Sequence, residues 1–247
     1  MGNQVKVFES TDELANFFGN MLAESINKIP EGSFFTIALS GGSTPKKVFE
    51  FLAANFKDKI DWQKVLVYWG DERCVNPENE ESNYRMVKES LLQYVAIPTD
   101  NIFRIKGEEE EPKEAIRYSE VIKENVPQVN NIPRFDLMML GLGDDGHTAS
   151  IFPDNLQLFE SEKFCEVAIN PYSGQKRITL TGKIINQSKI IVFIAIGESK
   201  SEMVAKIIER KNGCEFLPAS KEKPENGELV WLLDKPAANG LKIPNSK

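Results

Sequence analysis

The chain has 247 residues, of which 41% are hydrophobic and 27% charged, with 16 glycines and 13 prolines; this is the composition of a globular protein and excludes a disordered or fibrous one. Thirty Lys and Arg against 37 Asp and Glu leave a net charge of −7, and no short segment is densely basic, so nucleic acid is not an expected partner. The longest apolar stretch, Ile190 to Ile196, has seven residues where a membrane span needs about 20, and the N-terminus lacks the apolar core of a signal peptide; no membrane partner and a cytoplasmic location are expected.

In chain order, Val5 to Phe8 alternates as a strand does, and Ser10-Thr11-Asp12-Glu13 fits a capping box with Ser10 as N-cap. Leu14, Phe17, Phe18, Met21 and Leu22 then recur at the spacing of one helical face. A strand is predicted from Phe34 to Leu39, running into Ser40-Gly41-Gly42-Ser43-Thr44-Pro45, after which Val48, Phe49 and Leu52 resume helical spacing. Val65 to Trp69 is a buried strand ending in a Gly70-Asp71-Glu72-Arg73 loop, followed by a helix from about Asn83 that carries Met86, Val87, Leu91 and Leu92. Ile102 to Ile105 reads as a short strand, and Ile116, Val121 and Ile122 sit on a helix whose solvated start is the acidic run Glu108 to Glu111. Phe135 to Leu140 is a strand entering Gly141-Leu142-Gly143-Asp144-Asp145-Gly146-His147; Ile190 to Ile196 is a central strand, and Met203, Val204, Ile207 and Ile208 face one side of the helix after it.

Repeated strand, loop and helix units predict an α/β fold with a doubly wound, mainly parallel, Rossmann-like sheet. With no linker or low-complexity tract, residues 1–247 are expected to form a single domain. Three widely spaced cysteines, Cys74, Cys165 and Cys214, lie outside any CxxC pattern and fit reduced thiols better than a disulfide framework. In such sheets the ligand crevice lies beyond the carboxyl ends of the strands, so the loops at Ser40, Gly70, Gly141 and Gly197 are expected to converge on one site.

The Ser40–Pro45 loop has the features of a phosphate site. Two glycines let the backbone approach an anion, Thr44 is placed to cap the helix, and Pro45 at the first helical position lacks an N–H that would be unpaired anyway. Free N–H groups and the positive helix end then face the ligand; a plain strand-to-helix turn is the alternative. The Gly141–Gly146 segment matches G-x-G-x-x-G, but Asp144 and Asp145 stand where a pyrophosphate would lie, so a dinucleotide is not expected. His147 is the only histidine, and an imidazole at a strand's carboxyl end suits proton transfer near neutrality; a capping or surface role is the alternative. One histidine excludes an HExxH zinc site, and a Cys3His set would need three distant cysteines to meet, so no metal is expected. Asp71, Glu72 and Arg73 either place charge in the crevice or close an internal salt bridge. Arg177 and Lys200, joined to the glycine-rich loop, would form an anion clamp.

These segments, with Trp69-Gly70-Asp71-Glu72-Arg73, Ser82-Asn83-Tyr84, the run from Gly141 to Pro153 and Arg177-Ile178-Thr179-Leu180-Thr181, resemble the 6-phosphogluconolactonases in order over nearly the whole chain, the His147 segment most specifically. The resemblance implies the fold of the sugar-phosphate isomerases and lactonases. It also implies hydrolysis of 6-phospho-D-glucono-1,5-lactone to 6-phosphogluconate in the oxidative pentose phosphate pathway, with no metal or organic cofactor. His147 then corresponds to the general base that activates water, Asp145 to its acidic neighbour, Arg73 to a substrate-binding cation, and Gly41, Gly42, Ser43, Arg177 and Lys200 to the phosphate site. From the residues themselves, Asp71 joins the catalytic set and Thr44 the phosphate loop. The sugar-phosphate lactone is the one partner called for, and no obligate protein partner is evident. Two other readings stay open: glucosamine-6-phosphate deaminase, whose family carries a glutamate where this chain has Phe152, five residues after His147, and a non-catalytic sugar-phosphate sensor using the same crevice.

Overall fold

The computed structural model describes residues 4–224 and 226–242. In chain order its strands and α-helices are β1 (Gln4–Phe8), α1 (Thr11–Asn27), β2 (Phe35–Leu39), α2 (Ser43–Asn55), β3 (Val65–Trp69), β4 (Asp71–Arg73), α3 (Asn83–Ser90), α4 (Glu111–Asn125), β5 (Gln128–Val129), β6 (Ile132–Pro133), β7 (Leu137–Leu140), β8 (Cys165–Ile169), β9 (Lys176–Leu180), α5 (Gly182–Ile185), β10 (Ile190–Ala195), α6 (Ser201–Ile208), β11 (Glu228–Asp234) and α7 (Lys235–Ala238). Every residue of β2, β3 and β7 is buried, as parallel strands covered by helices on both faces require. They join the other long strands in a six-stranded sheet ordered β1-β11-β10-β7-β2-β3 in which every pairing is parallel. This is the doubly wound α/β sheet that the alternation predicts. From β2 the chain winds outward to β3, and from β7 it moves the other way to β10 and β11, so the switch point lies between β2 and β7, where a crevice opens beyond the strand ends.

The segment Gly70–Arg73, expected as a loop, contributes β4 to a second, antiparallel sheet ordered β4-β9-β8. Gly70 joins the two sheets: its N–H donates to the Leu39 carbonyl at 2.9 Å and its own carbonyl accepts from Leu180 at 2.8 Å. Neither β8 nor β11 was expected, and the latter fills the place between β1 and β10. Ile102 to Ile105, expected as a strand, makes only a single bridge to Val67.

Local signals are met with shifts of a residue or two. Ser10 caps α1 by accepting the Glu13 N–H, but the Glu13 carboxylate returns to the N–H of Glu9 at 3.1 Å and not to that of Ser10. Thr44 does not cap α2. Gly42 is the N-cap, with a φ of 103° that favours glycine, and Pro45 is the third helical residue, still within the first turn where its missing N–H is harmless. In α4 the buried stripe is Ala115, Tyr118 and Ile122 while Ile116 is exposed. Tyr118 sets this rotation, because its hydroxyl takes the Trp69 N–H at 2.8 Å and donates to the Trp69 carbonyl at 3.1 Å. Among the described residues no helix is long and apolar enough to cross a membrane, and Cys74, Cys165 and Cys214 are all free thiols.

Candidate active site

A cavity of about 210 Å³ lies at the switch point, beyond the ends of β2, β7 and β10. It brings together Gly41, Gly42, Ser43, Thr44, Asp71, Arg73, His147, Arg177 and Lys200, nine of the ten residues that the sequence nominates. Asp145, the tenth, stands behind His147.

On one wall, the glycine-rich loop is shaped by close contact. A Cβ on Gly41 would fall 1.7 Å from Oδ1 of Asn83, so no larger residue fits while Asn83 holds its place. Asn83, the first residue of α3, donates from Nδ2 to the backbone carbonyl of Asp71 at 2.9 Å and to its carboxylate at 3.2 Å, whereas its buried Oδ1 has no partner among the described residues. Among the described residues Glu72 neither lines the crevice nor enters a salt bridge. Its buried carboxylate takes the N–H groups of Arg73, Asn83 and Tyr84 and the Ser82 hydroxyl, anchoring the start of α3. Burial pushes the Glu72 carboxyl up, and these backbone donors offset only part of that.

The small sheet supplies the charges. Register places Arg73 directly opposite Arg177, and Asp71 opposite Thr179. Asp71 is held by the Ser150 hydroxyl at 2.6 Å and lies 3.8 Å from the Arg177 guanidinium. The Arg177 side chain is only 12% exposed; burial lowers its pKa, Asp71 offsets this, and the like charge of Arg73 adds to the lowering. Arg73 donates to the Glu81 carbonyl and lines the same cavity. Two guanidiniums and a single buried carboxylate, paired with one of them, line this side of the cavity and leave an excess of positive charge, suited to an anion.

The opposite wall is the Gly141–His147 loop. Nδ1 of His147 lies 2.6 Å from Oδ1 of Asp145, and the same oxygen takes the His147 backbone N–H at 3.0 Å. Burial alone would raise the Asp145 carboxyl; the hydrogen bond and charge of His147, its backbone N–H and the Tyr172 hydroxyl outweigh it and hold the group at about 2. Ionised, Asp145 accepts only, so Nδ1 carries the proton and Nε2 is left as the basic nitrogen. A Cβ on Gly143 would lie 2.0 Å from Nδ1, so this glycine lets the ring close over its own loop. The Phe152 ring packs on the imidazole with centroids 4.5 Å apart and lies 5.8 Å below the Arg177 guanidinium. The two aspartates thus have separate partners, since Asp144 pairs with Lys200 at the cavity rim. Cys74 is half-buried beside Arg73, and burial pushes its thiol up to about 11, which keeps it protonated and unreactive near neutrality.

Asn83, Ser150, Phe152 and Tyr172 complete the site, and none of the four received a role from sequence reasoning. Asn83 and Ser150 lie within quoted motifs but carry no spacing that points to Asp71. Tyr172 comes from a surface turn whose sequence carries no signal that points to Asp145.

Chemically this is a pocket rich in positive charge with a carboxylate-backed imidazole in one wall, an arrangement able to hold a phosphorylated small molecule and to move a proton on it. Residues 9–231 match the family described as glucosamine-6-phosphate isomerases/6-phosphogluconolactonase, and the chain belongs to that family. It is 36% identical over 227 residues to a 6-phosphogluconolactonase of Treponema pallidum, covering 92% of this chain and 93% of the relative. It is 42% identical over 206 residues to one of Haemophilus influenzae, covering 83% and 87%. The crystal structure of 6-phosphogluconolactonase from Leishmania guyanensis superposes with a TM-score of 0.85 at 27% identity, covering 98% of this chain and all of that one, 100%.

Proposed function

We propose that this chain hydrolyses 6-phospho-D-glucono-1,5-lactone to 6-phospho-D-gluconate, with His147 as general base. The observation that carries the reading is the Asp145-backed imidazole in the same cavity as Arg73, Arg177 and the Gly41–Gly42 loop. Nε2 takes a proton from water as its oxygen attacks the lactone carbonyl carbon. The oxyanion that forms is stabilised by Arg73, and backbone N–H groups add to this. On collapse the bond from that carbon to the ring oxygen breaks, and the imidazolium returns the proton to the departing oxygen. Asp71 braces Arg177 through their ion pair, and the phosphate is held by Gly41, Gly42, Ser43 and Thr44 with Arg177 and Lys200. For Lys200 this means exchanging Asp144 for the substrate. The chain's own residues supply the whole sequence of proton transfers, with no cofactor or metal required. Residues 1–247 act as one catalytic unit, and we place it in the cytoplasm, where its three free thiols stay reduced.

The family description spans two chemistries, and Phe152 bears on the choice between them. Where the deaminase reading needs a carboxylate, this chain has a buried ring packed on the base. The test is a direct assay on freshly made 6-phosphogluconolactone, with unphosphorylated gluconolactone and glucosamine 6-phosphate in parallel. Turnover of the first well above the other two is expected. Turnover of glucosamine 6-phosphate, or equal rates on both lactones, overturns the reading.

A further inference from the structure

We infer that Tyr172 is a positioning residue for this reaction: its hydroxyl fixes the rotation of the Asp145 carboxylate, and through it the orientation and tautomer of His147. The inference rests on the reading of His147 as the base.

The Tyr172 hydroxyl donates to Oδ2 of Asp145 at 2.9 Å, while Oδ1 serves the imidazole. The terminal torsion of an aspartate is broad and weakly held by its own sterics, so a carboxylate anchored on one oxygen alone swings. Donors on both oxygens set the plane from which Oδ1 meets Nδ1. The hydrogen bond to Asp145, and then its charge, raise the pKa of the Tyr172 phenol, which keeps it a donor.

The tyrosine is held for this task by a turn with its own framework. It lies between β8 and β9, where Oδ1 of Asn170 accepts the N–H groups of Tyr172 and Ser173 at 2.9 and 3.2 Å, and Gly174, at a φ of 71°, donates back to the Asn170 carbonyl. Gln175 ties the same turn to Glu81 at 3.1 Å and to Arg177 at 3.3 Å. The Tyr172 ring meets Phe152 edge-on at 6.5 Å, and Phe152 in turn packs on His147. Yet Tyr172 is 74% exposed. A residue so open to water adds little to the core, and among the described residues the one hydrogen bond its side chain makes is to the carboxylate behind the base.

Tyr172→Phe removes only the hydroxyl. The expected result is a kcat lower by about five- to tenfold, the scale of one lost hydrogen bond, with KM and melting temperature as in the parent. Because His147 is the only histidine, nitrogen-15 spectra of the labelled imidazole report on it without overlap. The parent should show one tautomer with a far-downfield Nδ1 proton, and Tyr172→Phe a mixture. In an Asp145→Asn background the tyrosine change should add nothing. A parent-like kcat, a parent-like spectrum, or an equal loss of kcat in the Asp145→Asn background each overturns the inference. If His147→Asn were to keep its turnover, the base reading would fall by itself. The spectrum would then still decide whether Tyr172 holds Asp145 against the ring.

Discussion

The six-stranded sheet reaches the cavity through loops that leave the ends of β2, β7 and β10, whereas the three-stranded sheet delivers Asp71, Arg73 and Arg177 from within its own strands. The difference is one of constraint. Strand-borne side chains inherit their spacing from the ladder, and here Arg73 and Arg177 face each other by register, Arg177 braced through Asp71 by Ser150 and Asn83 and Arg73 by the Glu81 carbonyl. The loop-borne imidazole, which we propose as the base, is hydrogen-bonded through its ring to a single carboxylate that itself takes a hydroxyl from an exposed turn. Groups on rigid elements are placed more tightly than groups on loops. The arginine-bearing strands, the anion wall, are therefore the fixed part of the site, and the loop that carries His147, the base wall of our proposal, the adjustable part.

The largest effect should come from the adjustable wall. His147→Asn keeps a polar side chain of similar size but removes the basic nitrogen, and turnover of the phosphorylated lactone should fall by about 10² to 10⁴ once spontaneous hydrolysis is subtracted. KM should change little, because the phosphate and its guanidinium partners are untouched. A well-folded variant with parental turnover would move the base to the strand-borne wall, to Asp71, and remove the asymmetry between the two.

A smaller loss is expected on the fixed wall. Arg177→Ala should lower kcat/KM by roughly tenfold or more, since charge-assisted contacts are worth about 1.5 to 3 kcal/mol. The loss should appear with the phosphorylated lactone and vanish with the unphosphorylated one. Asp71 keeps Ser150 and Asn83 in this variant, so the small sheet should stay folded. Equal losses on both lactones would assign Arg177 to the reacting carbonyl and leave the phosphate to the Gly41–Gly42 loop and Lys200.

The same contrast explains what was legible in the chain. Parallel strands buried on both faces write themselves as short apolar runs, and Phe35–Leu39, Val65–Trp69 and Ile190–Ala195 were readable as such. The apolar run in β11 carries a comparable signal, but a short apolar run does not by itself distinguish strand from helix. Asp71-Glu72-Arg73 has no apolar period, and it becomes a strand only because β9 arrives from a hundred residues further along the chain to pair with it. The site followed suit. Glycine-rich loops and a lone histidine announce themselves by composition, while the cross-strand facing of two arginines, the clasp of Asn83 on Asp71 and the reach of Tyr172 to Asp145 are facts of register and packing that no spacing records.

The finest expected difference is in stability and isolates Asp145. Its carboxyl sits at about 2 in the folded chain, below the roughly 4 of an unfolded aspartate. A group depressed in this way contributes stability that is fully present above its unfolded value and is lost as pH falls through its folded one. The window is therefore from about pH 4 down to about pH 2. Its side chain is 18% exposed, so solvent screens the pair only in part, and the contribution is on the order of 2 kcal/mol. Denaturant unfolding of the parent and of Asp145→Asn should differ by about that amount at pH 5, and the gap should close across the window. In a His147→Asn background the gap should be much smaller throughout, because the imidazole supplies the main compensation for burying the carboxylate. A gap that persists unchanged to pH 2, or that survives loss of the imidazole, would mean that Asp145 is held by its own loop and not by the base. The base wall would then be as rigid as the anion wall opposite.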